Sequence, residues 1–412
     1  MIKMKSLLKL QLWKQVLIGL TLGVIAGICF EDQAENFKIF GTIFISLIKM
    51  VIVPLIFFAL LSGITSMDAG HSATRVGIKG FLVYMATATF AVLIGLAAGA
   101  IFKPGEGVDL SGLTSAVAVA SKEPPAVSAF LLGLIPTNVF KAFSTDNFLQ
   151  IIVFSIFTGI VINMIGEKGK PVKDIIASAS QVMFKMIELI VCLAPIGVFG
   201  FIAWVVGTQG VEVLNALGKL IVIFLAACVL QYALFGVAIT FFARLSPMPF
   251  FKKMLTSQSI AFATSSSKAA LATTITQSQE RLGVSKANAN FILPLGASIN
   301  MDGTAIYLGM CAVFFSQAYG MPLEFHNYLM LVLTCTLGSI GAAGIPSGSI
   351  IFMGMVLGSV GLPLEGIGII LGVDRILDMI RTTINITGDA TVTLLVDRSE
   401  DMLDEKTYYA DN

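Results

Sequence analysis

Residues 366–396, GIGIILGVDRILDMIRTTINITGDATVTLLV, suit a membrane-spanning helix, which needs roughly 20 mostly apolar residues. Yet the stretch holds Asp374, Arg375, Asp378, Arg381 and Asp389. At about 100° per residue, Asp374, Asp378, Arg381, Asn385 and Asp389 fall within about an 80° arc, opposite a face of Ile, Leu, Val and Met. One charge at helix centre costs roughly 2.5–3.5 kcal/mol on insertion scales, so several together need partners or water. A buried ion-pair ladder holding helices together would meet that need, and so would a ligand and ion pathway. A stripe this costly needs a strong reason, and the pathway is the expectation.

Composition sets the surroundings. Of 412 residues 56% are hydrophobic and 12% charged, about half the charge of a soluble domain, which places the chain among polytopic membrane proteins. The net charge of +1, without basic clusters or zinc-finger spacing, gives no sign of a nucleic-acid partner. Cys29, Cys192, Cys228, Cys311 and Cys335 lie scattered in apolar segments and read as small buried hydrophobes. His71 and His326 fall in expected loops, which argues against a histidine metal site or proton relay. The basic start and apolar run from Leu17 lack a small-residue cleavage site before Glu31 and Asp32, so an uncleaved first span is expected.

Apolar segments predict spans near 12–30, 38–66, 79–102, 128–165, 173–205 and 218–243. Lys3, Lys5, Lys9 and Lys14, then Arg75 and Lys79, then Lys168, Lys170 and Lys173, then Arg244, Lys252 and Lys253 occupy alternate connections. The positive-inside rule then puts both termini in the cytoplasm of a plasma (inner) membrane. The fourth span is too long and is interrupted by IPTNVFKAFSTDN at 135–147.

From Leu255 simple spans stop fitting. The segment 255–285 carries the run Ser265-Ser266-Ser267 between arms too short to cross twice. The segment 327–363 repeats that design around GSIGAAGIPSGS at 338–349. Each reads as a re-entrant hairpin of two half-helices, whose exposed N–H groups suit anions and whose carbonyls suit cations. A long helix with a polar centre follows each hairpin, over 288–319 and 366–396. In the first, PLGASINMDGT (294–304) sets Asn300, Asp302 and Thr304 among apolar residues, with Gly303 weakening the helix. Local unwinding there would present carbonyls beside a carboxylate and an amide, the oxygen shell a sodium ion wants; a polar kink held by its neighbours is the plainer alternative. Asp302, Asp374, Asp378 and Asp389 oppose Arg375 and Arg381, leaving about two surplus negative charges if all ionise. Arg381 can clamp a carboxylate bidentately, and Asp378, three residues earlier, can take an ammonium.

These motifs, the serine-rich tip, NMDGT, GAAGIPSG and DRILDMIRTTINITGD, closely resemble those of the glutamate/aspartate transporter family, the dicarboxylate/amino acid:cation symporters. Hydropathy and IPTN extend the resemblance over the whole chain. It implies an all-α polytopic membrane protein with eight transmembrane helices, two re-entrant hairpins and an inverted-repeat fold. A homotrimer is implied, in which 79–127 and 218–412 form a transport body sliding against a scaffold of 1–78 and 128–217. The implied function is sodium-coupled uptake of L-glutamate or L-aspartate; a proton- or sodium-coupled C4-dicarboxylate carrier is the alternative, in which Asp378 lacks an ammonium partner. By motif, Arg381 with Thr304 would hold the side-chain carboxylate, and Asp378 and Thr382 the amino group. Asn385, Ser267 and the second hairpin tip, with Ile345 and Gly348, would hold the α-carboxylate. One sodium would take oxygens from Gly296, Asn300, Asn385 and Asp389. A second would use Ser298, Ser339, Ile340 and Ala342, and a third Tyr84, Thr87, Asn300 and Asp302.

The chain departs from the family pattern at several positions. Ser265 stands where some prokaryotic relatives have arginine, with Arg375 supplying that charge as in animal members; Lys268 and Ala272 replace a small residue and a proline. Ala88 sits where a hydroxyl often completes the third cation site, and Ile380 where glycine is common. Ser265-x-x-Lys268 matches the SxxK acyl-transfer motif, but without its partner motifs an enzyme is not expected. An ion channel would not need an ammonium/carboxylate pair.

Overall fold

The computed structural model describes residues 12–65, 71–110, 132–133, 135–145, 147–210, 212–341 and 348–410. Among these the chain is helical, without strands. α1 (Leu12–Phe30) leads through a 3₁₀ turn (Glu31–Phe37) into α2 (Lys38–Thr65). α3 (His71–Phe102), the short α4 (Val139–Ser144) and α5 (Phe148–Met164) follow. Next come α6 (Lys170–Val191), α7 (Ala194–Gln209) and α8 (Glu212–Ala238), the last prolonged by a π turn at Ile239–Ala243.

Helices long and apolar enough to span a bilayer cover Gln33–Thr65, Arg75–Phe102, Val213–Ala243 and Lys286–Ala318. With its multiple apolar helices the chain is a multi-pass membrane protein. Lys14–Phe30 and Gln150–Met164 are apolar but shorter. The span expected over 173–205 is two helices: Gly166–Val191 and Ala194–Thr208 meet at a 50° bend. Pro195, in the first turn of α7, has no N–H to offer the preceding turn, so the helix breaks there. Two smaller expectations also fail. His71 opens α3 and His326 sits in the first turn of its helix, while Cys29 and Cys192 are exposed; only Cys228, Cys311 and Cys335 are buried.

Lipid gives helices no hydrophobic reason to associate, so close packing through small residues does that work. Gly19, Gly23 and Gly27 form a ridge at four-residue spacing on α1, and a Cβ at each would collide with the α7 backbone near Pro195, Phe199 and Ala203. Gly95 of α3 meets the backbone of Ile306 in the same way.

The C-terminal half holds both helical pairs expected from the sequence. The first is α9 (Pro247–Thr264) and α10 (Ser267–Glu280), reversing at Ser265 with φ +52° and capped by Ser266. After α11 (Lys286–Ile299) and α12 (Asp302–Ala318), the second is α13 (Phe325–Gly341) and α14 (Gly348–Ser359). α15 (Ile367–Ser399) is unbroken, and α16 (Glu405–Tyr409) ends the described chain. Asp397 fastens α15 to the start of α11, accepting from Ser285 N at 3.0 Å and Asn288 Nδ2 at 2.7 Å. Glu400, just past α15, pairs with Arg75 and Lys79 of α3.

Candidate functional site

Two groups of buried acids sit where α15 meets α11 and α12. The helix over 288–319 breaks at Asn300, which is extended (φ −98°, ψ 101°), and at Met301. This is the unwinding that the Asn-Met-Asp-Gly run allows. The break survives because α15 supplies its missing partner: Asn385 Oδ1 accepts from Gly303 N at 2.8 Å, capping α12. Gly388 makes the approach possible, since a Cβ there would lie within 2.9 Å of Asn300 Nδ2 and Asp302 Oδ2.

The first acid group is self-paired. Arg381 is fully buried and donates through Nη1 to Asp374 Oδ1 and through Nη2 to Asp378 Oδ1, both at 2.8 Å. Arg375 Nη1 lies 3.7 Å from Asp378 Oδ2. The Arg381 guanidinium sits 4.1 Å from the Tyr307 ring centroid, a cation–π contact. All four charges ride on α15, so the ion pairs of this ladder join turns of one helix, and its link to α12 is the Tyr307 ring. Arg381 Nε keeps a buried N–H with no hydrogen-bond partner.

The second group has no basic partner among its hydrogen bonds. Asp389 Oδ1 accepts from Asn300 Nδ2 at 2.9 Å, and Asp302 Oδ2 from Gln231 Nε2 at 3.4 Å. Asp302 Oδ1 has no partner. Thr87 Oγ1 lies 3.4 Å from Asn300 Oδ1, and the Tyr84 hydroxyl donates to Ile292 O at 3.1 Å while a Cβ on Gly296 would strike it. A buried carboxylate needs a compensating charge. Asp374 and Asp378 have theirs in Arg375 and Arg381; the two surplus negative charges counted from the sequence are therefore Asp302 and Asp389.

The residues expected to hold two of the cations thus converge: Gly296, Asn300, Asn385 and Asp389 with Tyr84, Thr87 and Asp302. The remaining set does not. Ser298 spends its hydroxyl on Pro294 O and Ser339 on Thr336 O, each within its own helix. Ile340 is helical, and Ala342 lies outside the described residues, as does Ile345. Gly348 opens α14. Thr382 donates back to Asp378 O at 2.8 Å, and Thr304 is buried beside the break. Ser265 and Ser267 in the first hairpin and Ser349 in the second keep buried hydroxyls without partners. Ser265 and Lys268 form no acyl-transfer pair: the Lys268 ammonium lies over the Phe184 ring, 5.5 Å from its centroid.

Asp374, Tyr307 and Gln231 were not among the expected site residues. Asp374 stands seven residues before Arg381, two turns along the polar face on which the sequence already placed it, and its role as the Arg381 partner is what the sequence left unassigned. Gln231 is a lone amide in an apolar span, the kind of intramembrane polar residue that marks a site. Tyr307 has no comparable signal.

Comparison with known proteins agrees with this geometry. Residues 12–399 match the profile of the Sodium:dicarboxylate symporter family. A C4-dicarboxylate transport protein of Aeromonas salmonicida is 35% identical over 401 residues, covering 96% of this chain and 94% of the relative. One of Pectobacterium atrosepticum is 34% identical over 409 residues, covering 98% and 95%; one of Edwardsiella ictaluri is 35% identical, covering 98% and 96%. An Arg-bearing polar helix crossed by a broken one, matched over nearly its whole length to such relatives, is transport machinery and not an enzyme site: the chain belongs to the Sodium:dicarboxylate symporter family.

Proposed function

We propose that the protein is a sodium-coupled symporter of C4-dicarboxylates. One observation carries the substrate class. Asp378, the carboxylate that would take a substrate ammonium, already faces Arg381 through Oδ1 and Arg375 through Oδ2. A dicarboxylate brings no ammonium and leaves those pairs to the protein. The names borne by the relatives favour the same choice over the acidic amino acids that the resemblance implied. One substrate carboxylate docks on Arg381, whose Nε–H lacks an acceptor, by exchanging with Asp374. The other meets the unpartnered hydroxyls of Ser267 and Ser349, one from each hairpin. Sodium ions travel as co-substrate at Asp302 and Asp389, with Asn300, Asn385, Tyr84 and Thr87 supplying further oxygens. Ser298, Ser339, Ile340 and Ala342 are the candidates for a further ion.

Alternating access follows an elevator motion in which 79–127 and 218–412 slide against 1–78 and 128–217. Packing supports that division, α3 seating on α12 and α1 on α7. The assembly is a homotrimer in the inner (plasma) membrane, with cytoplasmic termini. Proteoliposomes given radiolabelled succinate under sodium, proton or potassium gradients imposed separately test the substrate and the coupling ion. Succinate should accumulate with the sodium gradient and stop in choline. Accumulation of L-aspartate without succinate would return the acidic amino acid as substrate, and accumulation on a proton gradient alone would remove sodium.

A further inference from the structure

Gln231 lies in the apolar run of α8 and is 2% exposed. Phe224, Gln231 and Phe235 share one face of that helix. The face is turned to the site: the Phe224 ring meets Tyr307 of α12 edge-on, 6.0 Å between centroids. A Cβ at Gly388 of α15 would come within 3.1 Å of Phe235 Cζ, beside Asn300 and Asp302. Gln231 is thereby held against the break between α11 and α12.

Its amide is poorly placed for a purely structural hydrogen bond. Nε2 stands 3.4 Å from Asp302 Oδ2, whereas an N–H donating to a carboxylate settles at about 2.7–2.9 Å. The amide oxygen Oε1 is buried without a hydrogen-bond partner, and so is Asp302 Oδ1. An amide that only tied α8 to α12 would satisfy both of its ends. The spacing fits another arrangement. Sodium and calcium ions are close in size, and two oxygens at right angles around such an ion, each about 2.4 Å from it, stand about 3.4 Å apart. The Thr87 hydroxyl repeats that separation, 3.4 Å from Asn300 Oδ1, and also approaches the Asp302 carboxyl. Half a turn of the Gln231 amide exchanges Nε2 for Oε1 and sets an oxygen in the donor's place.

We propose that Gln231 is a ligand of the sodium ion that Asp302 takes up, through an amide that changes ends. With the site empty, Nε2 faces the bare carboxylate. With sodium present, Oε1 turns in to the cation and Nε2 turns away. The inference rests on the sodium-coupled reading above and adds α8 to the helices that hold the ion.

The test is a sodium titration of the purified full chain without dicarboxylate, read as the rise in Tm, for the parent, Gln231→Leu, Gln231→Met and Gln231→Glu. A ligand and a mere donor predict opposite signs. Losing a ligand oxygen in the Leu and Met variants should raise the half-saturating sodium concentration about tenfold. Losing only a donor would free the Asp302 carboxylate and leave that concentration unchanged or lower. Gln231→Glu keeps an oxygen without the N–H and should need no more sodium than the parent. Where the Leu variant does not fold, Met decides. Unchanged or lower half-saturation in Met, with or without a lower Tm in sodium-free buffer, overturns the ligand role, as does a Glu variant that needs as much sodium as Met. A parent whose Tm ignores sodium removes the sodium reading and the ligand role together; a parent that responds beside an unaltered Met variant removes the ligand role alone.

Discussion

The acids lodged between α15 and α12 differ in how they are neutralised. Asp374 and Asp378 lie against Arg381, with Arg375 at the edge, so that group is balanced by the chain itself. Asp302 and Asp389 accept from the amides of Gln231 and Asn300 and have no basic residue among their hydrogen-bond partners. A covalently supplied counter-charge can be displaced by a competing carboxylate; a missing one has to be filled by something mobile. On the proposed function, substrate recognition and ion coupling are two answers to one electrostatic problem, placed side by side on one helix, and the two affinities are reciprocally linked.

The comparison breaks most directly at Arg381. Arg381→Ala should abolish succinate uptake and lower stability by about 3–5 kcal/mol, since it strands two buried carboxylates. Adding Asp374→Asn should recover part of the stability and none of the uptake, read by thermal unfolding and flux on the same preparations. Full stability in Arg381→Ala alone would mean that the acids do not depend on it. At the other group the signs reverse. Asp389→Asn removes an acid without a basic partner, so Tm in sodium-free buffer should hold or rise while the sodium concentration for half-maximal uptake increases about tenfold or more, a loss of about 1.4 kcal/mol. A lowered Tm with an unaltered sodium titration would contradict it.

The smallest effect belongs to Glu400, which carries a version of the same pairing beyond the end of α15, with basic partners that are themselves exposed. Lys79 first and Arg75 second hold its carboxyl below the usual glutamate range. A lowered folded-state value means the stabilisation is complete above the ordinary glutamate value and is lost as pH falls through the lower one. Glu400→Gln should therefore lower Tm slightly at neutral pH, with the difference from the parent vanishing in acid; a difference that grew in acid would reverse the assignment.

Much of this arrangement was legible in the chain. The 3.6-residue periodicity put Asp374, Asp378, Arg381, Asn385 and Asp389 on one face, and they are all buried. The Asn-Met-Asp-Gly run foretold the break beside Asp302. Other features depend on side-chain choices that periodicity leaves open. Counting charges gives a surplus of two acids, but only the fold decides which two, because Arg381 could have turned toward either neighbour. Asp378 looked available to an ammonium in sequence and is engaged in space. The bend at Cys192–Leu193 was missed because 173–205 is apolar enough to read straight through, though Pro195 was there to mark it.

Charge that travels with a moving body feels the membrane voltage. On the proposed motion, an empty transport body returns outward with Asp302 and Asp389 unneutralised, while Arg381 and its acids cross as an electrically silent unit. An inside-negative potential of 100 mV then assists that return by at most about 4.6 kcal/mol, for two charges crossing the whole field. Two sodium ions neutralise those oxygens, and a dicarboxylate adds two negative charges back, so the loaded body crosses with the same net charge as the empty one. With two sodium ions per dicarboxylate, the unequal pairing of four aspartates makes the voltage oppose the loaded leg as much as it assists the empty one.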